Sequence, residues 1–264
     1  MYEFDYQRPA TSDAAVAAAT GDTRYLAGGQ SLVQAMKLRL AQTERLVDLG
    51  TVAGLRDIGA DAGGVTIGAM ATHAAVAANA DVRRLLPAVA ELAGGIGDPM
   101  VRNMGTIGGS IANADPAACY PSAVLALSAT VHTDRRTIGG DVFFTGLFET
   151  ALEPGEMVVA ASFPAVRTAA YVKYKQPASR FALVGVFVAR TAQGVRVAVT
   201  GVKSHVFRAV PIEEALTRDF SADAAKAVRM PIDDINGDMH GSAEYRAAMI
   251  SVMASRAVTA ALAR

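Results

Sequence analysis

The chain has 264 residues and a mass of 27.3 kDa, enough for one large domain or two modest ones at about 150 residues each. Twenty-five Lys and Arg balance 25 Asp and Glu, which removes the long-range attraction to phosphate backbones or anionic membranes that a basic chain has. Apolar residues make up 52%, so a sizeable core can form, yet no apolar run approaches the roughly 20 residues that span a bilayer. Residues 1–6 show neither the basic nor the apolar segment of a signal peptide, which points to a cytoplasmic chain. The single cysteine, Cys119, excludes an intrachain disulfide and an iron–sulfur cluster held by four thiolates of this chain. His73, His132, His205 and His240 are scattered without zinc-ligand spacing, so no metal site is expected.

In chain order, residues 4–8 read as a short strand closed by Pro9, and Thr11 or Ser12 can cap an alanine-rich helix over 13–20. A strand over 24–27 runs into Gly28-Gly29, and Leu32, Val33, Met36 and Leu40 then fall at helical spacing. Another strand follows at 45–49. The pattern resumes with a strand over 65–69, a helix capped by Thr72, and a helix over roughly 83–93 with Leu85, Leu86, Val89 and Leu92 on one face. Residues 94–110 carry six glycines in seventeen positions and predict an extended loop. Pro121 suits the first turn of a helix reaching 127, and strands follow at 129–133, 136–138 and 157–163. Beyond 164 the pattern turns antiparallel, with strands at 171–175, 182–190 and 195–202, the last two joined through Gln193-Gly194. Helices near 212–217 and 222–228 precede a long helix over 242–261.

Two segments carry chemistry. In Leu26-Ala27-Gly28-Gly29-Gln30-Ser31-Leu32, adjacent glycines at a strand–helix junction let a ligand approach the backbone closely, and free N–H groups there suit phosphate oxygens. Alone, the segment fits both that reading and a turn that merely needs positive φ. It is neither GxGxxG nor GxxxxGK[ST], so nicotinamide-binding Rossmann and nucleotide-hydrolase readings lose their central motif. The second segment runs Asn103-Met104-Gly105-Thr106-Ile107-Gly108-Gly109-Ser110-Ile111-Ala112-Asn113-Ala114-Asp115-Pro116. It again flanks a glycine pair with hydroxyls. Two such loops about 80 residues apart fit a ligand with two linked phosphates.

These residues resemble the FAD-binding medium subunit of molybdenum hydroxylases, the group of carbon monoxide dehydrogenase, xanthine dehydrogenase and bacterial N-heterocycle dehydrogenases. The resemblance runs nearly end to end. It includes Phe4-Asp5-Tyr6 with Arg8-Pro9, then Ala27-Gly28-Gly29-Gln30-Ser31-Leu32 with Met36-Lys37-Leu38-Arg39. It continues through Ile96-Gly97-Asp98-Pro99-Met100-Val101-Arg102-Asn103, Gly105-Thr106-Ile107-Gly108-Gly109-Ser110 and Ala114-Asp115-Pro116-Ala117-Ala118. Asp141-Val142-Phe143-Phe144 and Gly241-Ser242-Ala243-Glu244-Tyr245-Arg246 complete it.

The resemblance implies an α+β chain: a two-subdomain FAD-binding fold of the PCMH (vanillyl-alcohol-oxidase) type over 1–164, with subdomains of about 1–54 and 55–164. A C-terminal flavoprotein domain of the carbon monoxide dehydrogenase type, a small antiparallel sheet with helices, would occupy 165–264. FAD would lie between the subdomains, its pyrophosphate wrapped by Ala27, Gly28, Gly29, Gln30 and Ser31 on one side and by Thr106, Ile107, Gly108, Gly109 and Ser110 on the other. Leu26 and Leu32 would pack beside the first loop, Asp115 near the adenosine end, Lys175 near the flavin ring, and Val159 against the cofactor. One departure stands out: related chains commonly carry a second aspartate, able to bond the ribose, where this chain has Cys119. Cysteine is a weak hydrogen-bonding group, so that contact is weakened, and Cys119 itself reads as a buried, inert thiol.

The function implied is that of the FAD-carrying electron-transfer subunit of a multi-subunit molybdenum hydroxylase. Its expected partners are a small iron–sulfur subunit with 2Fe–2S clusters and a large subunit with the molybdenum cofactor, assembled as a dimer of heterotrimers. The catalytic group in this polypeptide would be the flavin, with no acid, base or nucleophile required of the chain. Other readings are a stand-alone FAD-dependent reductase, for which no proton donor is evident, and a non-catalytic assembly module. Elsewhere, His73 reads as a solvated or capping residue, and Asp98 and Arg102 as fixing the loop into the second motif. Glu213-Glu214 and Asp233-Asp234 read as surface pairs, and the C-terminal helix as core.

Overall fold

The computed structural model describes residues 1–264. Three main sheets succeed one another along the chain. The first is parallel, with Asp5–Gln7 and Thr23–Leu26 on either side of Arg45–Asp48. Its small core gathers Ala15, Val47, Leu49 and Val52 with Met70 and Met157 of the next unit. The second is antiparallel, in the order Ile58–Ala60, Gly64–Gly68, Val158–Pro164, Thr130–Thr133, Thr137–Gly139. Helices from His73–Ala78 to Tyr120–Ala126 build with it the largest core, which includes the fully buried Tyr120, Phe143, Ile107 and Ile111.

The third sheet runs Ala169–Lys175, Ala182–Thr191, Gly194–Thr200, Phe207–Arg208. Val184, Val186, Val188, Val197 and Val199 face the helices Val210–Arg218, Ala222–Ala227 and Ala243–Leu262, while Phe187, Ala189 and Ala198 join the core of the second unit. Both faces of the middle strands are therefore buried, which is why their sequence is apolar throughout instead of alternating. The long C-terminal helix packs in the core as expected, burying Ile250, Met253, Ala254, Ala257 and Val258, while Tyr245 at its start is exposed.

Local signals place many boundaries. The side chains of Thr11, Thr72 and Ser242 each accept a backbone N–H of the helix that they precede, as N-caps do. Three expectations need correction. The helix expected over 83–93 is two helices, Ala80–Leu85 and Pro87–Gly94, because proline starts a new helix and pushes Leu86, before it, out of the helical region. The glycine-rich stretch is not an extended loop but carries the helices Pro99–Met104 and Ile107–Asn113. Asp98 caps the first at 2.9 Å from Val101 N and Thr106 the second at 3.2 Å from Gly109 N, while Ile107 and Ile111 anchor the second in the core. Glu213 is not a surface residue: it is 6% exposed and its carboxylate accepts from Val197 N at 2.8 Å and from Arg208 Nε at 2.9 Å. No helix is long and apolar enough to cross a membrane.

Candidate functional site

The two glycine segments meet. Gly28 lies so close to the second segment that a Cβ there would intrude on the Met104 carbonyl oxygen and lie 2.8 Å from Gly105 Cα. Gly29 adopts φ +69°, a left-handed conformation suited to glycine, and its carbonyl accepts Val33 N at 3.1 Å to start the helix Leu32–Lys37. In the second segment, Ile107 N donates to Ala71 O at 3.1 Å and Gly108 N to Ala69 O at 2.9 Å. A Cβ on Gly108 would lie 2.7 Å from Ala69 Cα, so only glycine lets these backbones pair.

The junction opens into a cavity of about 420 Å³ that spans all three sheets, within the size range of ligand pockets. Ala27, Gly28, Gly29, Gln30, Ser31 and Leu32 line it from one side, and Thr106, Gly108, Gly109 and Ser110 from the other, with Asp115 further along. The remaining candidates stand apart from the wall. Leu26 ends its strand and packs against Gly29, and the Ile107 side chain points into the core. Val159 packs on the small N-terminal core and its carbonyl accepts Ala69 N at 2.9 Å, while Met157 and Val158 line the cavity beside it. Lys175 is exposed, beyond a register irregularity after Tyr174, whereas Lys173 lines the cavity.

The wall is mixed in character. Lys173 Nζ donates to Cys119 Sγ at 3.3 Å, and Arg24 and Arg180 add two further cations. Cys119 is 5% exposed. Burial pushes the Asp115 carboxyl up, partly offset by the hydrogen bond that it accepts from Ala117 N at 2.8 Å. Near the first sheet, Tyr25 donates to Gly155 O at 3.0 Å, and burial, then the nearby Asp134 charge, raises its hydroxyl to about 12. Glu156 beside it accepts from Arg136 Nε and Nη2, both at 3.0 Å, and from Thr133 Oγ1 at 2.7 Å. The Arg136 hydrogen bonds lead in holding its carboxyl down at about 2. His73, expected in solvent, is buried in the wall, with burial and then Arg102 lowering its imidazole to about 4. Sequence reasoning missed His73 and Lys173. Lys173 sits two residues before Lys175, and His73 directly follows the cap residue Thr72.

Fold and site thus define a chain whose two glycine segments meet at one cavity, with no Rossmann turn in either. Residues 2–166 match the family model of the FAD binding domain in molybdopterin dehydrogenase. The chain is 36% identical to the carbon monoxide dehydrogenase medium chain of Hydrogenophaga pseudoflava, covering 99% of this chain and 98% of that one. It is 33% identical to the glyceraldehyde dehydrogenase medium chain of Sulfolobus acidocaldarius, with 97% of each covered. A solved structure of carbon monoxide dehydrogenase from Hydrogenophaga pseudoflava, which lacks the Mo-pyranopterin moiety of the molybdenum cofactor, superposes with a TM-score of 0.89, 36% identity and 99% and 98% coverage. The chain belongs to the family of FAD-binding domains of molybdopterin dehydrogenases. It is an oxidoreductase chain, and FAD is its cofactor.

Proposed function

We propose that this chain is the flavin subunit of a multi-subunit molybdenum hydroxylase, with FAD in the cavity where its two glycine segments meet. The observation that carries the reading is that residues 80 apart in sequence, Gly28 and Gly108, are brought to one cavity wall whose backbone is bare of side chains. The residues fit the group: glycine backbone and the Ser31 and Ser110 hydroxyls for a pyrophosphate, apolar wall from Leu32, Met70 and Met157, and cations at Arg24, Lys173 and Arg180. Bound FAD supplies two-electron and one-electron chemistry, which lets it accept electrons singly and pass them on. The chain's own residues hold the ligand, order it and keep water from it, so no residue of this chain needs to exchange a proton with a substrate.

In this reading the electrons arrive from 2Fe–2S clusters on a small subunit and originate at a large molybdenum subunit. One cysteine cannot hold such clusters, which supports their place on another chain. Residues 1–164 form the FAD-binding unit of the PCMH type, in subdomains of about 1–54 and 55–164, and residues 165–264 the C-terminal domain. Supporting this layout, the first two sheets face the cavity across the glycine segments while the third contributes only its edge near Lys173 and Phe181. Lys173, not Lys175, is the lysine of the site.

Titration of the purified chain with FAD, followed by flavin fluorescence and absorbance, is expected to give one FAD per chain. No binding would overturn the cofactor reading, and purification from the native host without iron- and molybdenum-bearing partners would overturn the subunit reading. Exchange of Lys173 for Met is expected to weaken FAD about tenfold, the worth of one charge-assisted hydrogen bond, and exchange of Lys175 to change it less than about twofold. The reverse order would restore Lys175 to the site.

A further inference from the structure

His73 belongs to the cavity wall without a partner there. Its backbone N donates to Gly105 O at 3.0 Å, extending the pairing of residues 69–71 with Ile107 and Gly108. That pairing lays the imidazole beneath Gly105, so closely that a Cβ on Gly105 would lie 2.6 Å from His73 Nε2. A Cβ on Gly28 would in turn lie 2.8 Å from Gly105 Cα. His73 Nε2 therefore stands at the seam between the two glycine segments. The ring is 5% exposed and packs against Tyr120 at 5.4 Å between centroids. Nδ1 is sealed from solvent with no hydrogen-bond partner, leaving the Nε2 edge to the cavity that the residue lines. Burying such a ring is costly, and an apolar side chain of similar size would avoid the cost.

We propose that His73 is a positioning residue of the cofactor site, whose Nε2–H donates a hydrogen bond to a phosphate oxygen of the bound dinucleotide in the cavity beside Gly105. The inference rests on the FAD reading of the cavity. A neutral imidazole carries one proton. Placing it on Nε2 gives a phosphate oxygen the donor it needs and leaves at Nδ1 an orphan acceptor, which is better tolerated in a protein interior than an orphan N–H. Burial and the Arg102 charge keep the ring neutral, so the contact is a dipolar one that survives across neutral pH.

The test compares apo wild type, His73→Leu and His73→Gln by thermal melting, FAD titration and ³¹P NMR of the bound cofactor. His73→Leu is expected to melt no lower than wild type, to bind FAD about tenfold more weakly, and to shift one of the two pyrophosphate resonances. His73→Gln, which keeps a donor, is expected to recover affinity to within about threefold. A His73→Leu variant that binds FAD as wild type does, with both ³¹P resonances unmoved, would overturn the assignment. Wild type gives an independent reading should His73→Leu not fold: FAD is expected to move the ¹⁵N resonance of His73 Nε2, and an unmoved resonance would equally overturn it. Failure of wild type to bind FAD at all would instead count against the functional reading itself.

Discussion

The two glycine segments look alike in sequence, a glycine pair beside a hydroxyl, and they use those residues differently. In the second, Gly108 is buried against Ala69, Thr106 is 3% exposed, and the Thr106 hydroxyl is spent on capping its own helix. In the first, Gly29 supplies a left-handed turn and Gly28 a close approach to the other segment, while Ser31 stands at a helix start, exposed, with no capping hydrogen bond. The second segment is part of the core and carries the wall; the first rests on a core of seven buried residues and closes over the wall. A shared motif therefore does not mean a shared role in packing: one copy is tied into the core, and the other stands exposed at the cavity.

The largest expected effect is on the second segment. Gly108→Val forces Cβ and both methyls into the Ala69 backbone and is expected to cost roughly 2–3 kcal/mol by overpacking, read as a lower midpoint in urea. Gly28→Ala acts on the seam instead. Pushing the segments apart at Met104 is expected to cost about a hundredfold in FAD affinity, close to 2.7 kcal/mol, with the smaller loss in apo stability. If Gly28→Ala unfolds the chain more readily than Gly108→Val, the contrast between the segments fails.

A sharper pair is Thr106→Ala and Ser31→Ala. Loss of the Thr106 cap is expected to cost about 1 kcal/mol of stability, whereas Ser31→Ala is expected to leave the urea midpoint within about 0.3 kcal/mol of wild type and to weaken FAD. Equal stability losses would show that Ser31 also serves the fold.

The remaining effects are in acid, and they separate two groups of the same wall. His73 has its imidazole lowered from 6.5 to about 4, so the unfolded chain binds the proton first and stability falls as pH drops from 6.5 through 4. Glu156 is held down from 4.5 to about 2, so its contribution is present above 4.5 and lost as pH falls toward 2. His73→Leu is expected to flatten the upper part of the stability–pH curve and Glu156→Gln the lower part. Curves that keep both slopes would refute these assignments.

Much of the local structure is legible from single residues. Thr11, Thr72 and Ser242 cap helices because a hydroxyl one turn before an apolar run needs only the backbone three residues on. The turn at Gln193-Gly194 forms for a similarly local reason, with Gly194 at φ +117°. Glu213 and Lys173 are different. Val197, which donates to Glu213, lies 16 residues away, and Cys119, which receives Lys173, lies 54 away, beyond what any local pattern encodes. A bulge after Tyr174 turns Lys175 outward, and no feature of Tyr174-Lys175-Gln176 announces it.

From sequence alone came the balanced charge, the cysteine count, most of the order of strands and helices, and two glycine motifs pointing to one ligand, because composition and short-range spacing carry those facts directly. Only the tertiary structure decided that the glycine-rich stretch is largely helical, that Gly105 and Gly108 serve backbone pairing with residues 69–73, and that His73 is buried beside Gly105. Those outcomes depend on which surfaces exclude water together. A glycine has no side chain to record what will press against it; the neighbouring backbone, distant in sequence, determines its role.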